Sequence, residues 1–142
     1  MSIDDNKSIA SRVIEAINRK DLKGFKELVR PDMVDHEVPL GYPTTLDSTE
    51  KLLSMMFTAF PDLQYIVEFT VAEGDRVVQR LTGNGTMKGD LMGMPATGKR
   101  ATWTETHIAR FANGKVVEHW ANGDQLGMLQ QLGLMHAPEQ AR

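Results

Sequence analysis

Apolar residues recur every three to four positions through roughly the first sixty residues, and every second position after that. Ile9, Val13 and Ile17, with Ala10, Ile14 and Ala16 beside them, predict a first helix that Asp4 or Asp5 can cap. Asp21 can cap a short second helix with Leu22, Phe25, Leu28 and Val29 on one side, closed by Pro31. Val34 to Val38 reads as a short extended piece, and Pro39, Gly41, Tyr42 and Pro43 as a loop. Asp47 or Ser48 can cap a third helix whose apolar face is Leu52, Leu53, Met56, Phe57 and Phe60, with Pro61-Asp62 at its end.

Beyond Pro61 the period becomes two. Tyr65, Val67, Phe69 and Val71 alternate with Gln64, Ile66, Glu68 and Thr70, Glu73-Gly74-Asp75 is a turn, and Val77, Gln79, Leu81 and Gly83 continue the alternation. Two more alternating runs cover Arg100 to Phe111 and Lys115 to Ala121, joined by Asn113-Gly114, a hairpin signal because both residues tolerate positive φ. A last helix from Gln125 to Leu132 packs Leu126, Leu129 and Leu132 and stops near Gly133. Helices and strands that segregate in this way predict an α+β fold, in which a curved antiparallel sheet wrapped around a helix pair leaves a cavity at its mouth. Residues 1–6 and 136–142 are expected to fray.

A length of 142 residues is that of one domain, large enough to bury roughly two-thirds of its unfolded surface. The formal charge of −3, with no basic block, argues against nucleic acid or an anionic membrane as partner. The absence of cysteine removes disulfides, thiol catalysis and thiolate metal sites. The polar N-terminus is unlike a signal peptide and no run is long enough to span a bilayer, so a cytoplasmic protein is the default expectation.

The stretch from Gly83 to Trp120 carries most of the candidate chemistry. Period two places Trp103, Glu105 and His107 on one face of one strand, where the carboxylate can orient the imidazole or share its proton; a core histidine satisfied by a rim carboxylate gives the same pattern. Whether His119 or Trp120 shares that face depends on the hairpin. A plain two-residue turn sets His107 opposite Trp120 and Glu105 opposite Asn122, whereas a glycine bulge sets His107 opposite Ala121 and His119 beside Ala109. We favour the bulged register, which groups Phe111, Ala109 and His107 with Val117, His119 and Ala121. Asp124 can project a carboxylate into the pocket mouth or cap the last helix. Asp35 and His36 are adjacent in an extended piece, so only one of them faces a pocket. Leu91, Met92 and Met94, in the loop from Gly89 to Gly98, suit either a lid over an apolar ligand or a subunit contact. There is no nucleophile elbow, no phosphate-binding glycine fingerprint and no closely spaced metal motif; His36, His107, His119 and His136 are scattered, and no metal is expected.

The loop Gly89-Asp90-Leu91-Met92-Gly93-Met94-Pro95-Ala96-Thr97-Gly98-Lys99-Arg100, the run from Trp103 through Phe111, Gly114 to Trp120, and the ending Gln130-Gln131-Leu132-Gly133 resemble the SnoaL-like polyketide cyclase family of the nuclear-transport-factor-2-like superfamily. The similarity runs from the first helix to Gly133. It implies a cone-shaped α+β barrel, a curved antiparallel sheet wrapped around the N-terminal helices and enclosing a deep, mostly apolar pocket, with homodimers or higher homo-oligomers packed sheet to sheet, and cofactor-free ring closure of a polyketide ester by an intramolecular aldol step. It also implies that an aspartate moves the proton, with a histidine nearby that matches His107. The position of that aspartate falls on Ala121. Asp124 matches a second family acid, and the family's early polar pocket residue falls on Asp35.

The expected site is therefore His107, Asp124 and Glu105 as catalytic groups, with Asp35, Trp103, His119, Trp120, Asn122, Met92 and Met94 against an apolar small molecule. The expected chemistry is cofactor-independent proton transfer on a carbonyl compound, as in a lyase, isomerase or cyclase. A non-catalytic binding module is the alternative, as is an epoxide hydrolase-like or ketosteroid isomerase-like enzyme on the same fold. Fold type constrains the reaction weakly.

Overall fold

A computed structural model describes residues 2–136, which form four helices and five strands. Helix α1 spans Ile3–Asn18. Ser2 is its N-cap and exchanges hydrogen bonds with Asp5, so residues 3–6 are a capped first turn rather than a frayed end. Of the C-terminal residues expected to fray, 137–142 lie outside the described residues, as does Met1. Helix α2 is Leu22–Glu27, with Asp21 as its N-cap accepting from the Gly24 N–H.

The chain turns extended earlier than the sequence suggests. Strand β1 is Val29–Asp35, so Val29 and Pro31 belong to a strand and not to the end of a helix. The proline is tolerated because β1 lies at a sheet edge, where one N–H can be spared. Helix α3, Leu46–Ala59, is capped by Thr45 through the Ser48 N–H, two residues before the expected Asp47. Strands β2 (Gln64–Glu73), β3 (Arg76–Thr86), β4 (Arg100–Ala112) and β5 (Lys115–Gly123) follow, and then helix α4, Gln125–Gln131. The class is α+β as expected. The sheet is a curved, unclosed one in the order β1-β5-β4-β3-β2, its neighbours antiparallel except for the parallel β1–β5 pair.

Two bulges decide which side chains face inward. In β2 the register shifts between Val67 and Phe69, so Tyr65 and Val67 stay half-buried while Phe69 and Val71 turn outward, 57% and 53% exposed. A strict alternation would have put all four on one face; the extra residue at Glu68 reverses it. In the β4–β5 hairpin, Asn113 and Gly114 both have positive φ, 51° and 77°, and Ala112 pairs with Lys115 across a two-residue turn. The register then shifts between Arg110 and Phe111, so that His107 pairs with Ala121 and Ala109 with His119. The favoured register holds, but the bulge lies within the strand rather than at the glycine.

Along the inner face of β4 the residues come in three groups. Ala101 and Trp103 join one buried cluster with Phe60, Leu63, Met87, Met128 and Leu132. Phe111 joins a second with Ile9, Phe25, Leu28, Val29 and Val77, against which Ala109 packs. Glu105 and His107 fall between the two clusters, and Gln79 on β3 pairs with His107. The fold thus holds a polar row between two apolar masses, with low-dielectric surroundings on both sides. None of the described helices is long and apolar enough to cross a membrane.

The glycine at position 83 keeps room for that row. A Cβ there would come within 2.8 Å of both the Trp103 and the Tyr65 ring. Gly83→Ala is expected to destabilise the protein by about 1–3 kcal/mol through overpacking, read as a lowered midpoint in urea unfolding. An unchanged midpoint would show that the two rings can yield.

Candidate active site

The site begins with the strand periodicity. Trp103, Glu105 and His107 lie on the inner face of β4. The Trp103 indole Nε1–H donates to Glu105 Oε2 at 2.6 Å, and the Tyr65 hydroxyl donates to the same oxygen at 3.0 Å from β2. The other oxygen, Oε1, lies 2.6 Å from His107 Nε2. The bulged register brings His119 alongside, with its Nε2 2.8 Å from His107 Nδ1. The parallel pairing of β1 with β5 sets Asp35 beside His119, and His119 Nδ1 is 2.8 Å from Asp35 Oδ1. Asp35 is fully buried and also accepts from the Thr49 hydroxyl at 2.6 Å and the Glu37 N–H at 2.9 Å. The result is one continuous row: Glu105, His107, His119, Asp35.

Proton counting fixes the charge of this row. Each imidazole turns one nitrogen to a carboxylate, and each of those contacts needs an N–H. The contact between the two rings needs one more. Three ring protons on two imidazoles amount to one imidazolium when both carboxylates are ionised. The pKa directions agree. Burial opposes ionisation of Glu105, but the bond and charge of His107, with the Trp103 and Tyr65 donors, outweigh it and hold the carboxyl below its usual range. Asp35 is likewise held low against burial, by His119 and Thr49. Burial alone would drive His107 toward neutrality, yet the Glu105 bond and the negative charge of Glu37, Glu105 and Asp35 raise its pKa.

Glu37 is the residue that sequence reasoning missed. It lies in the turn that follows β1, two positions after Asp35, where its backbone N–H donates to Asp35 Oδ1, and it lines the cavity. Its carboxyl makes no hydrogen bond among the described residues. Burial pushes its pKa up, and the nearby His107 and His119 offset only part of that rise. Nitrogen or oxygen atoms of Glu37, His107 and His119 come within 4.8 Å of one another. Tyr65, Thr49 and Gln79 were also missed as site residues. Tyr65 and Gln79 carry a signal, since each lies at an inward position of an alternating run, whereas Thr49 reaches Asp35 from α3 and nothing in its neighbourhood marks it. Gln79 is 5% exposed, and its amide nitrogen has no hydrogen-bond partner among the described residues.

These groups line a cavity of about 430 Å³ whose remaining walls include Ile14, Phe25, Met33, Leu53 and Met56. Met92 and Met94 lie at its edge, while Leu91 of the same loop is buried at 3% exposure in the cluster around Trp103. Three expected site residues stand elsewhere. Asp124 is exposed and caps α4 through the Gly127 N–H at 2.9 Å. Trp120 lies on the opposite face of the sheet, stacked on His36 with ring centroids 5.2 Å apart, because adjacent strand residues point opposite ways. Asn122 is exposed, and its cross-strand partner Thr106 takes a hydrogen bond from Arg80 on that same outer face.

The row makes stability depend on pH. The raised His107 pKa gives a contribution present below its ordinary value of 6.5 and lost as pH rises through the folded value. The depressed Glu105 and Asp35 values give contributions present above 4.5 and 3.8 and lost as pH falls. The raised Glu37 value disfavours the folded state as pH climbs above 4.5. Thermal melts are expected to peak between 4.5 and 6.5 and to fall on the alkaline side, with His107→Gln shallowing that fall. An equal alkaline slope in the variant would count against the shared proton.

Residues 7–132 match the SnoaL-like polyketide cyclase family. An aklanonic acid methyl ester cyclase of Streptomyces peucetius is 30% identical over 131 residues, covering 88% of each chain. The nogalonic acid methyl ester cyclase of Streptomyces nogalater is 27% identical over 123 residues, covering 85% of this chain and 92% of its own. Among solved structures, AclR of Streptomyces galilaeus, a candidate hydroxylase, superposes with a TM-score of 0.88 at 34% identity, covering 99% of this chain and 88% of that one. The match to the family over nearly the whole sequence, on a fold shared with its solved members, shows that the chain belongs to the SnoaL-like polyketide cyclase family.

Proposed function

We propose that the protein closes a ring on a polyketide-type carbonyl compound by proton transfer at carbon, with Glu37 as the base. The observation that carries this reading is geometric. Glu37 is a carboxyl without a hydrogen-bond partner, in a cavity, beside a histidine pair that carries one positive charge. A carboxylate that burial makes more basic suits removal of a proton next to a carbonyl. The electron pair left behind moves onto the carbonyl oxygen, and the imidazolium stabilises the resulting enolate. The partnerless Gln79 amide can donate to that oxygen or to the second carbonyl. The enolate carbon then bonds to the second carbonyl carbon, and the new alkoxide takes back the proton held by Glu37. The product is an isomer of the substrate.

The relatives named for aklanonic and nogalonic acid methyl esters support a polyketide ester as substrate class. The apolar walls suit its fused-ring body. Two arginines that a hydrolase reading would recruit are engaged away from the cavity: Arg80 donates to Thr106, and Arg110 to Glu118. The exposed Ile66, Phe69 and Val71 on the sheet support a homo-oligomer joined through that face.

The test uses aklanonic acid methyl ester and nogalonic acid methyl ester, with ring closure followed by chromatography of the equal-mass product. Deuterium uptake at the acidic carbon reports proton abstraction even when no ring closes. Glu37→Gln is expected to lower both by about 10²–10⁴-fold, the usual range for removing a general base, with the circular dichroism spectrum unchanged. Wild-type exchange in Glu37→Gln would remove the glutamate from the mechanism.

A further inference from the structure

We infer that Glu37, His107 and His119 form a binding site for a first-row divalent cation of the zinc class, entered from the cavity. The inference goes beyond the proposed reaction and does not rest on it. Two imidazoles and one carboxylate are a donor set that such cations take, leaving further coordination positions open. The three residues bring potential ligand atoms within 4.8 Å of one another, and all three line the cavity.

The surroundings of the two histidines are the stronger observation. A metal-binding histidine usually gives its second ring nitrogen to a carboxylate or carbonyl, which fixes the ring and strengthens the ligand. Here both do so. His107 Nε2 is held by Glu105 at 2.6 Å and His119 Nδ1 by Asp35 at 2.8 Å. Those carboxylates are braced in turn, Glu105 by Trp103 and Tyr65, and Asp35 by Thr49. This outer layer leaves His107 Nδ1 and His119 Nε2, hydrogen-bonded to each other at 2.8 Å, as the candidate ligand atoms. Two ligand nitrogens at the tetrahedral angle on a zinc ion, each ~2.1 Å from it, lie about 3.4 Å apart, a modest parting from their present contact. Binding needs the two nitrogens to swing from each other toward Glu37 and the proton between them to leave. A cation and that proton therefore compete for one place.

The sequence hides this site because its residues are far apart along the chain. Glu37 comes from the turn after β1, His107 from β4 and His119 from β5, and no motif spacing links them. A second histidine–carboxylate pair, His36 with Glu118, lies at the surface on the other face of the sheet and serves as a control.

The experiment is a calorimetric titration of the full chain with ZnCl₂ and with CoCl₂ near neutral pH, in buffers of different ionisation enthalpy. Wild type and His36→Ala are expected to bind one equivalent with equal affinity and to release protons, with a visible cobalt band. Glu37→Gln is expected to weaken binding at least tenfold; its side chain makes no hydrogen bond in the fold, so loss of folding does not confuse the result. Asp35→Asn, checked for folding by circular dichroism, is expected to weaken binding about 10–100-fold, as loss of an outer-layer carboxylate does. The inference is overturned by an absence of binding to the folded wild type, by wild-type affinity in Glu37→Gln, or by loss of binding in His36→Ala. Because the readout is binding, its failure leaves the Glu37 exchange experiment untouched, and the reverse is also true.

Discussion

The contact between His107 Nδ1 and His119 Nε2, 2.8 Å apart, is the constraint on which the rest of the site depends. Two imidazoles that each serve a carboxylate can approach this closely only if a third proton lies between them. Without it, two lone pairs would face one another in a buried place, where unpaired polar groups are costly. The row from Glu105 to Asp35 therefore carries two negative charges and one positive one. The braces outside it, Trp103 and Tyr65 on Glu105, and Thr49 and the Glu37 N–H on Asp35, give each carboxylate two further hydrogen bonds. Breaking such a buried pair by removing one partner typically costs about 3–5 kcal/mol, so the row is structural as well as chemical.

The fold supplies this constraint through register. Glu105 and His107 share a face because strands alternate. His119 joins them because β5 carries a bulge, and Asp35 because β1 adds to the sheet edge in parallel. Each of the three steps places one more member of the row between the two apolar clusters. Ala121, paired with His107, offers no carboxyl on this side. Glu37 instead reaches the histidines from the segment that follows β1, and this is why proton transfer is assigned to it.

Much of this was legible in the sequence, though unevenly. The change of period near Pro61 announced the α+β order, and period two grouped Trp103, Glu105 and His107. The resemblance to SnoaL-like cyclases pointed to Asp35 as a pocket residue. The glycine signal announced a bulge in the hairpin, but the positions of both bulges left no mark. Nothing in the residues around Glu68 or Val117 says that one of them goes unpaired, because a bulge inside a strand is decided by packing on both sides. For that reason strict alternation puts Phe69 and Val71 on the wrong face. Asp124 satisfied two descriptions equally, a helix cap and a pocket acid, and the Gly127 N–H takes the first. Glu37 lay in the stretch from Val34 to Val38 that read as extended, but no resemblance pointed to it, and it folds into a turn after β1 where strand parity does not apply.

The central claim, a single proton shared by two histidines between two ionised carboxylates, is open to direct observation. Nitrogen-15 magnetic resonance of the histidine rings near neutral pH distinguishes protonated from bare nitrogens at His107 and His119. The account predicts protons on His107 Nε2 and His119 Nδ1, and one further proton between His107 Nδ1 and His119 Nε2 with coupling across that hydrogen bond. Two neutral rings with one proton each, and no coupling between them, would contradict it.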